Sequence, residues 1–149
     1  MLRDRIYTKT GDLLNIIRNA QTPEEAIAWH DAGKDPIFSD TLYDMLQEHH
    51  ISPREMILAS GIDRSYFYHI LSGIKIPGRN MVLRIGFCLK ATYNEMNLLL
   101  SLSGCGILYP KIRRDSILIF ALEHQYTMSR VNELLSESGE LPLYTTGKK

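Results

Sequence analysis

The chain has 149 residues, enough for a single-core domain that buries roughly 68–70% of its unfolded surface without a metal or a disulfide. With 44% hydrophobic and 23% charged residues it is neither disordered nor fibrous, and no apolar run nears the roughly 20 residues of a membrane span. Seventeen basic side chains balance seventeen acidic ones, which counts against nucleic-acid binding when only the total is read.

Apolar residues recur at three and four rather than at two, so an all-α protein is expected. No secretory leader is expected behind Met1-Leu2-Arg3-Asp4-Arg5, and Cys88 and Cys105 sit among apolar residues, as reduced thiols of a cytoplasmic protein would. A first helix is predicted from Gly11 or Asp12 through Leu13, Leu14, Ile16 and Ile17 to Asn19. Thr22-Pro23-Glu24-Glu25 opens a second with a capping box, and Gly33 and Pro36 end this arm, residues 1–37. Trp29 on the second helix is expected to anchor the arm to the core. Phe38-Ser39 begins a helix with Leu42, Met45 and Leu46 as its stripe and His49-His50 at its end.

Two short helices around a glycine follow. Ser52, Pro53 and Glu55 give an N-cap, a proline at the first helical position and a box-closing carboxylate. Gly61 suits the left-handed residue that ends a helix, and Asp63 can cap the next one. From Arg64 to Ser72, Phe67, Ile70 and Leu71 share one face, leaving Arg64, Ser65, Tyr68, His69 and Ser72 on the other. This is the grammar of a helix-turn-helix. Ile74-Lys75-Ile76-Pro77-Gly78 is a loop, residues around Met81 to Leu89 form a largely buried helix, and Thr92 to Glu95 caps a fifth helix ending near Gly104. Beyond the break at Leu108-Tyr109-Pro110, helices are predicted from Asp115 to His124 and from Thr127 to Ser138. The tail from Leu141 to Lys149 is expected to fray.

The positive charge is concentrated. Within residues 52–90, Arg54, Arg64, Lys75, Arg79, Arg84 and Lys90 face only Glu55 and Asp63, a local excess of four. No nucleophile and base pair, phosphate-cradling glycine loop or paired acids stand out, and the histidines lack metal-ligand spacing. An enzyme is not indicated, and neither a metal nor a cofactor is implied.

The spacing of Ser52-Pro53, Glu55, the segment from Gly61 to Tyr66, and Ile70-Leu71-Ser72-Gly73 with Pro77 resembles the Cro/repressor-like, Xre-type helix-turn-helix family. It covers 38–104. The chain is also similar, over nearly its whole length, to a bacterial group of such regulators in which a helical arm precedes the block. In that group a Leu-Tyr-Pro plus Arg-Arg-Asp segment follows it, as Leu108-Tyr109-Pro110 and Arg113-Arg114-Asp115 do here. The resemblance implies a five-helix DNA-binding bundle flanked by the arm and by a C-terminal helical hairpin within 105–149. It implies that the second helix of the motif enters the major groove while the first lies across the backbone. Carried onto these positions, Arg64, Ser65, Tyr68 and His69 become base-facing candidates, and Lys75, Arg79, Asn80, Arg54 and the amides at Ser52 become phosphate contacts. Each also suits an ordinary solvated surface. Pro53 stands where the family often has an amide side chain that steadies the phosphate.

The expectation is a sequence-specific regulator that binds double-stranded DNA as a homodimer, with any small-molecule or protein effector open and no membrane partner. Neutral total charge and Pro53 keep an alternative in view, a protein-interaction module that retains the helix-turn-helix shape without binding DNA.

Overall fold

The computed structural model describes residues 10–31 and 37–145. Nine α-helices and no strand are present among the described residues: α1 (Thr10–Asn19), α2 (Pro23–Asp31), α3 (Phe38–Glu48), α4 (Pro53–Ser60), α5 (Arg64–Leu71), α6 (Arg79–Leu89), α7 (Tyr93–Leu102), α8 (Arg113–Glu123) and α9 (Met128–Glu137). Gly33 and Pro36, expected to end the arm, lie outside the described residues, as does the side chain of Trp29.

Local chemistry sets most helix starts. At α4 the Ser52 hydroxyl accepts from the Glu55 amide at 3.1 Å while the Ser52 amide donates to the Glu55 carboxylate at 2.8 Å. Hydrogen bonding from Ser52 to the Glu55 carboxylate, from its backbone amide first and then from its side chain, holds that carboxyl below its ordinary pKa. Thr92 and Glu95 repeat the arrangement at α7, at 3.1 and 2.9 Å. At α2 it is shifted: Thr22 accepts from the Glu25 amide, but the return bond to Glu25 comes from the Gln21 amide.

α6 and α7 pack against each other at the centre, with α3 against α5 and α7, α4 against α6, and α8 and α9 closing over α7 and α6. Gly86 lets α6 approach α7 closely, since a Cβ there would lie 2.3 Å from the Met96 sulfur. Leu42, Met45, Met56, Phe67, Ile70, Leu83, Ile85, Leu89, Met96, Leu99 and Leu100 are buried, and Leu118, Ala121, Leu122, Val131 and Leu135 of α8 and α9 belong to the same core. No core boundary therefore falls at Gly104. α1 and α2 pack on each other and leave Leu14, Ile16, Ile17 and Ile27 about half exposed.

Two expectations are corrected. α8 begins at Arg113 rather than Asp115, because the Asp115 carboxylate turns inward instead of capping: it is 1% exposed and accepts the Tyr109 amide at 2.9 Å. The tail does not fray over residues 141–145. Leu143 is buried, and the Asn132 side chain accepts from the amides of Leu143 and Tyr144 and donates to the Tyr144 carbonyl. The expected fraying of 146–149 lies outside the described residues.

Candidate functional site

The α4–α5 pair has the caps and the glycine turn that its sequence predicts. Gly61 adopts φ +68°, the left-handed conformation, and its amide donates to the Ile57 carbonyl at 3.1 Å. Ile62 is buried and its amide donates to the Ser60 hydroxyl, so the link is held from inside. Asp63 accepts from the Tyr66 amide at 3.1 Å and starts α5. Phe67 and Ile70 are wholly buried, which fixes the rotation of α5 about its axis. The opposite face is solvent-exposed and carries Arg64, Ser65, Tyr68, His69 and Ser72. The four base-facing candidates are thus on one surface.

Arg64 lies over Tyr68, one turn on, with its guanidinium carbon 5.8 Å from the ring centre. The contact limits the guanidinium's freedom while leaving its N–H groups toward solvent. Past the helix end, the amides of Ile74 and Lys75 both donate to the His69 carbonyl, at 2.9 and 3.1 Å. Lys75 is therefore held in register with α5, exposed, between Ile74 and Ile76, each 67% exposed.

The expected phosphate contacts separate into two groups. Arg54 and Lys75 are exposed. Arg79 points inward: its Nε donates to the Gly106 carbonyl at 3.0 Å, Nη1 to Asp115 at 3.1 Å, and Nη2 to Asp115 at 3.0 Å and to Ile107 at 3.2 Å. Four of the five N–H donors of a guanidinium are so occupied, and the side chain ties the 105–110 segment to α6. Asn80 is exposed but accepts from Arg114 at 2.9 Å. At Ser52 the capping box takes the amides of Ser52 and Glu55, and Pro53 has none, so the box leaves the Arg54 amide at this helix end.

The Arg113-Arg114-Asp115 triplet is likewise a set of ties. Arg113 reaches the Ser138 carbonyl and the Glu140 carboxylate, Arg114 the Leu141 and Pro142 carbonyls, and Asp115 receives Arg79. Burial, then the neighbouring Arg79, lowers the Arg114 pKa from its ordinary value.

Neither protein-family models, nor curated proteins, nor solved structures match the chain. The arrangement of side chains is thus what bears on function. Among the described residues no group of three or more His, Cys, Asp or Glu side chains is placed to hold a metal ion, and no helix is long and apolar enough to cross a membrane. His49 lies 3.2 Å from both carboxylate oxygens of Glu95, joining α3 to α7.

One further participant, Arg84, is marked in the sequence by its charge alone. Arg84 donates to the Ser60 carbonyl, the last of α4, at 2.7 Å, and its guanidinium carbon is 5.2 Å from the centre of the Tyr144 ring. Its signal was a single charge within the apolar run Met81 to Leu89.

Proposed function

We propose that this protein is a sequence-specific DNA-binding regulator of the helix-turn-helix kind, acting as a homodimer, with α5 as the reading helix. The observation that carries the reading is the division of α5: Phe67 and Ile70 are wholly buried, while Arg64, Ser65, Tyr68 and His69 share the exposed face. Arg64 offers the forked donor that suits a guanine edge, and Ser65 and His69 can donate or accept. Lys75, fixed to the helix end through the His69 carbonyl, and Arg54 supply phosphate contacts. The inward ties of Arg79 remove it from this set. Two copies reading half-sites about one helical turn apart double the base contacts of one. The half-exposed apolar residues of α1 and α2 offer area for pairing.

The test is fluorescence anisotropy against DNA fragments from around the protein's own gene, at several salt concentrations. Arg64→Ala should cost about 1–3 kcal/mol on the best fragment while leaving random DNA nearly as well bound. Lys75→Ala should weaken both alike and reduce the salt slope by about one unit. Wild-type protein that binds no fragment would overturn the reading. The exposure of Ile74 and Ile76 beside α5 would then favour the protein-interaction module, whose binding would depend little on salt.

A further inference from the structure

We infer that Tyr144, about 80 residues from α5 in sequence, is a positioning residue for it, acting through Arg84 on the α4–α5 link; the inference rests on the reading of α5 as the helix that meets bases. The chain of contacts is continuous. Asn132, 8% exposed, spends its side-chain amide on the backbone of the last described residues, accepting from Leu143 at 2.6 Å and Tyr144 at 3.2 Å and donating to Tyr144 at 2.9 Å. Arg114 holds the two preceding carbonyls, Leu141 at 2.9 Å and Pro142 at 3.3 Å. The segment is therefore a built strap, and what it delivers is the Tyr144 ring at 5.2 Å from the Arg84 guanidinium.

Arg84 in turn bears on the link. Its Nη2 donates to the Ser60 carbonyl at 2.7 Å, at the end of α4 where the helix dipole is negative, and lies 3.5 Å from the place a Cβ on Gly61 would take. Its Nε is buried without a hydrogen-bond partner among the described residues. One hydrogen bond and one ring face thus hold the guanidinium, so removing the ring frees the group that braces the left-handed residue preceding α5. A ring face attracts a cation, whereas an aliphatic side chain of similar bulk fills space only. That difference separates positioning from mere packing.

The experiment compares Tyr144→Phe, Tyr144→Leu and Tyr144→Ala in the full chain. The first readout is hydrogen exchange without DNA, over the amides of Ile62, Tyr66 and Phe67, with Met96 and Leu99 as internal references. Tyr144→Leu and Tyr144→Ala should speed exchange at the link by about two- to fivefold, the size of an exposed cation–π contact, and leave the references unchanged. Tyr144→Phe should match wild type. The second readout is the ratio of best-fragment to random-DNA affinity, which should fall by the same factor in the Leu and Ala variants. Unaltered exchange in Tyr144→Leu overturns the inference, even should Tyr144→Ala prove unfolded. A changed exchange rate in a protein that binds no DNA keeps the strap and overturns the reading of α5 instead.

Discussion

Removing the Asp115 carboxylate, the buried charged group among the described residues, is expected to cost the fold heavily. Asp115 is 1% exposed, receives two bonds from Arg79 and one from the Tyr109 amide, and has 29% exposure on its cationic partner. Truncating one member of a buried pair typically costs about 3–5 kcal/mol because the other charge is left unpaired. Here Arg79 keeps the Gly106 and Ile107 carbonyls and reaches water in part, which places Asp115→Ala near the lower end, at about 3 kcal/mol. For a chain of this size that corresponds to a melting temperature lower by about 6–12 °C. The measurement is a double-mutant cycle, Asp115→Ala, Arg79→Ala and both together, by urea unfolding followed by circular dichroism. The double variant should be more stable than the sum of the two losses predicts, by about 1–3 kcal/mol of coupling. Additive losses, or a loss under about 0.5 kcal/mol for Asp115→Ala, would refute the view that this pair ties the 105–110 segment to α6. The cycle also bears on DNA: if Arg79 acts only within the fold, Arg79→Ala should leave the salt slope of binding unchanged.

Gly61→Val should destabilise by about 1–3 kcal/mol, since a β-branched residue is strained at φ +68°, while Gly61→Asn should cost less. Because an added Cβ would meet Arg84 only at an ordinary 3.5 Å, equal losses for Val and Asn in thermal melts would show that bulk, not backbone conformation, matters there. Gly86→Ala should lose about 1–3 kcal/mol to overpacking against buried Met96, less up to about 1 kcal/mol regained in helix propensity. Adding Met96→Val should recover part of it in urea titrations, and an unchanged loss would place the strain elsewhere. Burial pushes the Cys88 thiol up from 9.0 to about 11, against the pull of Arg84 and Lys90. Its folded value lies above its unfolded one, so the stabilisation is complete below pH 9 and is lost as pH rises through about 11. At pH 8 iodoacetamide should alkylate Cys88 more slowly in the native protein than in urea, as read by mass spectrometry, and equal rates would contradict this.

The helices and the local build of the α4–α5 pair were legible in the residues because their determinants lie three or four positions apart. Ser52 with Glu55, Thr92 with Glu95 and Asp63 with Tyr66 make bonds whose partners the chain brings together as it coils. Gly61 needed only its missing Cβ, and the burial of Phe67 and Ile70 follows from their sharing one face. What each charged side chain does was another matter. Arg79, which the resemblance places just past the reading helix, suits a phosphate, yet its partner stands 36 residues on, and Asp115, an acidic residue after a break, suits a helix start, yet its carboxylate is taken by Arg79. Arg84 and Tyr144 meet across 60 positions, and the polar tail is held at 141–145 because Asn132, on a neighbouring helix, presents an amide to its backbone. A guanidinium or a carboxylate has no preferred partner along its own helix strong enough to outweigh a buried one. Its destination is set by which carbonyls and carboxylates the packed core leaves beside it, and only the tertiary structure decides that.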